Sequence, residues 1–248
     1  MDNKTLFVTG GNVGIGLATA MLFAEQGANV AIYSRRGDKN AEAKALVEKA
    51  GVRCITFAAD ANDEIALKNA IDETVATFGG LHYAFNNVGV SQSGVAVTDL
   101  SQQDYDHQMD GNVRCTFLAM KYEIPAILAS GGGAICNNAS ASGISATAYQ
   151  ALYSAAKFAV IGLTKAVALE WAAQNVRVNV VCPGATTGEM FLRFRTEFPE
   201  IAEKAVAAHP MGRIGLKEEV AQAVLYLCRD ATFTTGLALT VDGGRTVG

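Results

Sequence analysis

The sequence predicts a doubly wound α/β fold of Rossmann type: a parallel sheet of about seven strands with helices on both faces. Three observations carry that expectation. Short β-branched, apolar runs alternate with longer stretches of helical spacing, the pattern of strands joined by crossover helices. A glycine-rich turn, Thr9-Gly10-Gly11-Asn12-Val13-Gly14-Ile15-Gly16, follows the first strand and opens the first helix. Half of the 248 residues are apolar, and the 25 glycines are scattered without a period, as in a globular chain with many strand-to-helix turns.

In chain order, strands are expected at 5–9, 29–33, 53–58, 81–86, 133–137, 177–181 and 238–241. Each is a short run rich in Val, Ile, Phe or Tyr, flanked by Gly, Asn, Asp or Pro. The intervening stretches have helical spacing at 14–26, 41–50, 63–77, 104–127, 153–173, 201–208 and 217–227. No repeat or linker divides them, so residues 1–248 are expected to form a single dinucleotide-binding catalytic domain. The least regular stretch, Gly184 to Gly215, mixes Phe191, Phe194 and Phe198 with Arg193 and Arg195 and follows a Pro-Gly turn; residues 185–212 within it are expected to serve as a substrate lid.

Composition excludes several classes of function. The formal charge is −4, and Arg35-Arg36 is the one basic cluster, which leaves no footprint for nucleic acid. Residues 1–10 lack a basic segment followed by an apolar one, and no run approaches the ~18 apolar residues of a membrane span; no membrane partner and a cytoplasmic location are expected. Five widely spaced cysteines, with no CxxC pair, fit neither a disulfide framework nor a zinc site and read as buried free thiols. His82, His107 and His209 show no ligand spacing, so no metal is expected.

The glycine turn places bare backbone N–H groups at a helix N-terminus, where the helix dipole stabilises a pyrophosphate. Gly10, Asn12, Val13, Gly14, Ile15 and Gly16 are the candidate phosphate cradle. Their spacing is not G-x-G-x-x-G, and a plain tight turn is the competing reading. Nicotinamide-binding folds that take NAD carry an acid at the end of the second strand, to hold the ribose hydroxyls. Here that place reads Tyr33-Ser34-Arg35-Arg36. Two guanidiniums without a carboxylate suit a 2′-phosphate bound in bidentate fashion. NADP(H) is therefore the expected cofactor, with NAD(H) second; a solvated loop is the alternative for the arginines.

Tyr153 and Lys157 stand at i and i+4 of one helix, a single turn apart on one face. A free phenol keeps its proton until about pH 10, so its use as acid and base near neutrality takes about 4 kcal/mol. An exposed ion pair gives only ~0.2–1 kcal/mol, so the ammonium must act at close range in a partly dry pocket. Y-x-x-x-K alone also occurs on surface helices. Its company is informative: Ser140 follows the fifth strand, at the sheet edge where doubly wound folds place ligands, and a hydroxyl there can donate to a carbonyl oxygen as charge builds on it.

With these residues assembled, the whole chain resembles the short-chain dehydrogenase/reductase family, in the subgroup of about this length. The family's T-G-x-x-x-G-x-G falls on Thr9, Gly10, Gly14 and Gly16; its acid beside the adenine on Asp60, followed by Ala61; its N-N-A-G on Asn86, Asn87, Val88 and Gly89. Its active-site Asn, Ser, Tyr and Lys fall on Asn112, Ser140, Tyr153 and Lys157. Its P-G turn is Pro183-Gly184, and its closing V-D-G-G is Val241-Asp242-Gly243-Gly244. The resemblance implies that Tyr153 exchanges a proton with the substrate oxygen and that Lys157 favours the phenolate and holds the nicotinamide ribose. It further implies that Ser140 polarises the carbonyl, that Asn112 supports a water relay and that the assembly is a homotetramer. Two places depart from the family. Val88 replaces a small residue and adds bulk near the ribose. Ala185-Thr186-Thr187-Gly188 stands where x-I-x-T is usual, so Thr186 or Thr187 is left to meet the carboxamide.

The expected pocket wall is Val90, Ala141, Ser142, Ile144, Gln150, Ala185, Met190 and Phe191, mostly apolar and without paired cations. A hydrophobic or cyclic secondary alcohol, or its ketone, is the expected small-molecule partner. The rival readings are a 3-oxoacyl-carrier-protein reductase, docked through Arg193 and Arg195, and an NADP(H)-binding redox sensor without catalysis.

Overall fold

The structure is a computed structural model that describes residues 1–92, 94–188, 191, 195, 196 and 199–247, without the Ile201 side chain. Among them, β1 (Thr5–Thr9), β2 (Asn29–Tyr33), β3 (Cys54–Phe57), β4 (Tyr83–Asn86), β5 (Gly133–Asn138), β6 (Val176–Pro183) and β7 (Ala238–Val241) form one sheet. The order is β3-β2-β1-β4-β5-β6-β7, and every pairing is parallel. The expected Rossmann-type fold is present.

Alternation along β1 sets the layers. Leu6 and Val8 point to one face, where Val30 and Ile32 join them under α1 (Gly14–Glu25), α2 (Gly37–Glu48) and α8 (Lys217–Leu225). Phe7 points to the other, with Ala31, Tyr33, Ala84, Ile135 and Val178 under α3 (Glu64–Phe78) and α5 (Cys115–Ala129). Leu6, Phe7 and Val8 are fully buried, each contributing about 1.5–3 kcal/mol relative to exposure. The strand order reverses between β1 and β4, opening a crevice beyond the carboxyl ends of the strands. Register pairs Thr9 with Asn86 and Asn86 with Asn137, so three polar side chains line up along that edge.

Helix boundaries differ from expectation where tertiary contacts intervene. The single helix expected at 104–127 is a composite: α4 (Gln102–Met109), a π-helical turn (Asp110–Arg114), then α5. Ser101 starts it with a capping box, its Oγ accepting the Asp104 N–H at 3.2 Å. The π-turn inserts a residue into the ladder and re-aims Asn112, whose carbonyl is taken by the Thr116 hydroxyl at 2.9 Å. α2 begins at Gly37 rather than at 41, because Asn40 is buried and donates to the Ser34 and Phe57 carbonyls.

One expectation about membranes is corrected. The helical stretch Ala151–Gln174, comprising α6 (Ala151–Trp171) and a short 3-10 extension, is 24 residues long with a mean hydropathy of 1.4, enough for a span by length and composition. In this fold one face of it, including Ala156, Val160, Ile161, Thr164 and Ala168, is buried. Its other face leaves Phe158 and Leu169 exposed, as α5 leaves Phe117. All five cysteines are buried free thiols, as their spacing implied, and burial pushes Cys54, Cys182 and Cys228 up to about 12.

Behind the sheet edge lies a buried carboxyl. Glu123 of α5 is fully enclosed; Asn86 Nδ2 donates to its Oε2 at 2.9 Å, and its Oε1 has no partner among the described residues. Burial raises it from the usual carboxylate range to about 8, against a weaker opposing pull from Asn86. The folded state therefore holds a proton that the unfolded chain has lost above about pH 4.5. Stability from this group falls as pH rises through the window between 4.5 and about 8, and levels off above it. Glu123→Gln should remove that slope. In thermal melts, Tm of the variant relative to the parent should rise on going from about pH 5 to about pH 8; parallel pH profiles would show that Glu123 does not change its protonation on folding.

Candidate active site

The glycine turn is fixed from three sides. Gly10 and Gly14 take φ of +65° and +56°, open to glycine and strained for other residues. A Cβ on Gly16 would lie 2.2 Å from the Gly10 carbonyl oxygen, so α1 can approach the turn only with glycine there. Val13 caps α1 with extended backbone and no side-chain hydrogen bond, and the first turn carries no acid. The N–H groups of Gly14, Ile15 and Gly16 find no acceptor among the described residues. Together with the helix dipole, they suit the diphosphate of a dinucleotide.

Toward the expected adenine end, Asn12 is buried and donates to Asn40 Oδ1 at 2.8 Å and to the Arg36 carbonyl at 3.3 Å. Asn40 in turn holds the Ser34 carbonyl at 3.0 Å. The glycine turn and the Ser34–Arg36 turn are thus one hydrogen-bonded unit. Arg35 projects into solvent, 75% exposed, with its guanidinium 3.8 Å from Asp60. Asp60 Oδ1 also accepts the Asn62 N–H, and Tyr33 holds the Asp60 carbonyl; Ala61 is packed into the core beneath.

The catalytic candidates converge beyond β4 and β5. Thr9 Oγ1 accepts the N–H groups of Asn87 (3.0 Å) and Val88 (3.3 Å), and Asn87 Nδ2 donates to the Gly10 carbonyl at 3.1 Å. The Val88 side chain packs into the core cluster around Phe7, on a backbone that Thr9 holds. Asn138 Nδ2 donates to Asn87 Oδ1 at 2.9 Å, and the Asn138 carbonyl receives Lys157 Nζ at 3.1 Å. Lys157 is 4% exposed and its Nζ lies 5.6 Å from the centre of the Tyr153 ring. Among the described residues no carboxylate pairs with it. A Cβ on Gly89 would lie 3.0 Å from Asn112 Oδ1 and 3.2 Å from Lys157 Nζ, which places Gly89 between the two. Asn112 is clamped to Val90 by both ends of its amide, at 3.2 and 3.1 Å. Ser140 accepts the Ser142 N–H at 3.1 Å, leaving its own O–H to donate elsewhere. Tyr153 is half-buried, and its hydroxyl makes no hydrogen bond among the described residues.

After β6, Pro183 ends the strand and Gly184 donates to the Val241 carbonyl at 3.0 Å. A Cβ on Gly184 would lie 2.4 Å from His209 Nε2. That nitrogen accepts the Ala185 N–H at 3.1 Å, so Nδ1 carries the hydrogen and donates to the Ala205 carbonyl at 2.7 Å. His209 thereby ties the turn after β6 to α7 (Pro199–Ala207), the structural part expected of a histidine here. Thr187 Oγ1 accepts the Lys217 N–H at the start of α8. Thr186 pairs with Gly215 through the backbone.

Of the expected pocket wall, Ala141 is fully buried and the Ser142 hydroxyl is engaged by Thr147 at 2.9 Å; neither presents a free surface. Val90, Gln150, Ala185 and Phe191 are partly exposed, and Ile144 is exposed. Met190, Arg193, Phe194 and Phe198 lie outside the described residues. A groove of about 630 Å³ beside the start of α6, with Thr147, Tyr149, Ala151, Ala155 and Phe158 among its lining, includes none of Ser140, Tyr153 and Lys157. Sequence reasoning missed Asn40, Gln92 and Gln108 as site-building residues. Their partners lie far off in the chain or, for Gln108, across the π-turn, and no local spacing marks them.

A parallel sheet with a glycine turn at its switch point, and a sheltered ammonium beside a phenol past the next strands, is the framework of a dinucleotide-dependent oxidoreductase. The chain belongs to the short-chain dehydrogenase/reductase family. A family model described as enoyl-(acyl carrier protein) reductase matches residues 10–246. The chain is 40% identical to cyclohexanol dehydrogenase of Acinetobacter sp. (strain SE19) over 250 residues, covering 99% of this chain and 96% of that one. It is 39% identical to 2,5-dichloro-2,5-cyclohexadiene-1,4-diol dehydrogenase of Sphingobium indicum over 249 residues, covering 99% and 98%. Among solved structures, ElxO with NADP bound matches with a TM-score of 0.92 at 30% identity, covering all of both chains. Carveol dehydrogenase from Mycobacterium avium in complex with NAD matches with a TM-score of 0.94 at 26% identity, covering 100% of this chain and 99% of that one.

The Asn12–Asn40 unit gives a test of its own. Asn40→Ala should remove three hydrogen bonds, to the Asn12 amide and to the Ser34 and Phe57 carbonyls, costing about 1–3 kcal/mol. For a chain of this size that lowers Tm by roughly 2–12 °C in a calorimetric melt; an unchanged Tm would mean the unit contributes nothing to the fold.

Proposed function

We propose that this chain is an NADP(H)-dependent oxidoreductase, one catalytic unit over residues 1–248, that interconverts a hydrophobic or cyclic secondary alcohol and its ketone. The observation that carries the reading is the buried Lys157 ammonium, held by the Asn138 carbonyl beside the Tyr153 ring. The nicotinamide cofactor, when bound, supplies or accepts the hydride. In reduction the Tyr153 hydroxyl gives its proton to the substrate oxygen, and Lys157 stabilises the phenolate left behind through a water-poor medium. In oxidation the same oxygen takes the alcohol proton. Ser140, whose oxygen accepts the Ser142 N–H with one of its lone pairs, donates to the substrate oxygen as charge gathers there. Asn112 supports the water relay by which Lys157 communicates with solvent.

The glycine turn holds the pyrophosphate, Asp60 and Ala61 border the adenine, and Asn87, Val88, Gly89, Pro183, Gly184, Thr186 and Thr187 border the nicotinamide half. Thr187 caps α8 with its oxygen, and Thr186 is the freer of the two threonines. Ser34, Arg35 and Arg36 receive the 2′-phosphate; a dianion there outcompetes the exposed Asp60, whose contact with Arg35 is long at 3.8 Å. Residues 185–212 cover the substrate. Cyclic alcohols in the names of two relatives support the substrate class. The exposed apolar residues Phe117, Phe158 and Leu169 on α5 and α6 support a homotetramer built through these helices.

Tyr153→Phe should lower kcat/KM for carbonyl reduction by about 10²–10⁴, with nucleotide affinity kept; undiminished turnover would remove Tyr153 from the chemistry. A kinetic screen of cyclic and aromatic carbonyls with both cofactors should include a 3-oxoacyl thioester, the choice of a carrier-protein reductase, and silence across all carbonyls would favour a redox sensor. Arg35→Ala should shift the NADPH-to-NADH ratio of kcat/KM toward NADH by about tenfold, the effect of about 1.4 kcal/mol from one charge-assisted contact. An unchanged ratio would reassign the phosphate.

A further inference from the structure

Residues 89–92 connect the two halves of the candidate site. On one side Asn112 clamps Val90, and Gln108 Nε2 donates to the Ser91 carbonyl at 2.9 Å. On the other, Gln92 Oε1 accepts the backbone N–H of Tyr153 at 2.9 Å, and the Gln92 carbonyl receives Gln150 Nε2 at 3.3 Å. α6 has no side-chain cap from Gln150, so Gln92, 61 residues away in the chain, supplies the acceptor for its third N–H.

That contact fixes the orientation of the amide. A backbone N–H only donates, so the oxygen of Gln92 must face it and the amino group must point elsewhere. Gln92 is 9% exposed, and its Nε2 is buried with no acceptor among the described residues. A buried donor left unpaired is destabilising, and a capping acceptor alone would not require one. The donor sits on the loop that runs from Gly89, against Lys157 and Asn112, to the peptide nitrogen of Tyr153.

We infer that Gln92 determines specificity by donating from Nε2 to a second oxygen of the substrate, distinct from the oxygen that reacts at Tyr153. The substrate class is then a ring with two oxygen functions: a diol, a hydroxyketone or a dione. This rests on the alcohol–ketone reading above and narrows it. Gln92 has two separable parts, an acceptor that positions the first turn of α6 and a donor that reads the substrate.

The test compares kcat/KM for 1,4-cyclohexanedione and cyclohexanone within each of three full-length proteins: the parent, Gln92→Glu and Gln92→Met. Glutamate keeps an acceptor for the Tyr153 N–H, is held ionised near the helix N-terminus at about pH 8, and has no hydrogen to donate. Methionine removes both parts. A ratio measured within one protein cancels any loss of folded enzyme, and a purely structural part for Gln92 would lower both substrates alike. The expected result is a dione-to-monoketone ratio at least about tenfold below the parent's in both variants. Ratios within about twofold of the parent's would overturn the inference and leave the alcohol–ketone reading standing. Turnover of neither ring by the parent would overturn that reading and the inference with it.

Discussion

The hydrogen bond from Lys157 Nζ to the Asn138 carbonyl is the contact on which the candidate chemistry depends. A buried ammonium is expensive, several kcal/mol even after relaxation, and is tolerated only where oxygen atoms are aimed at it. Here the oxygen belongs to the last residue of β5, so the position of the cation is set by the sheet. Asn138 is tied to Asn87, Asn87 to Gly10, and Thr9 to the peptides of Asn87 and Val88. The charge beside Tyr153 and the glycine turn are therefore parts of one network across the ends of β1, β4 and β5.

A second network lies beneath the first. Asn86 joins Glu123 to Asn137, and Asn137 donates to Thr164 of α6 at 2.8 Å. Thr164 is two turns along the helix from Lys157 and turns inward on the same buried stripe. Polar groups here fix α5 and α6 against the sheet by directional contacts, where apolar packing alone permits sliding. The cost is a carboxyl group kept in its neutral form.

Much of this was legible in the sequence. Alternation of strand and helix patterns, and the glycine turn, follow from local chemistry, and the expected strands at 5–9, 29–33 and 238–241 coincide with those found. Tyr153 and Lys157 share a helix, so their proximity is a matter of spacing. What could not be read is whatever depends on distant partners. The π-turn at Asn112 interrupts a run with uninterrupted helical character; it accompanies a clamp on Val90, 22 residues earlier. Asn40, in a helix of ordinary composition, is buried because β2 and β3 leave two carbonyls for it to satisfy. α6 reaches the length and apolarity of a span because its charged residues are few and spaced, although one of them, Lys157, is the cation of the candidate site.

The sealed thiols have a practical meaning. Each of the five sulfurs is buried, in or against the layers that flank the sheet, and burial keeps it protonated. Thiolate is the form that alkylating reagents attack, so the native molecule is inert to them. Labelling then proceeds only from openings that expose the interior, and the five positions, spread over β3, β5, β6, the start of α5 and the turn after α8, report separately on which layer parts first.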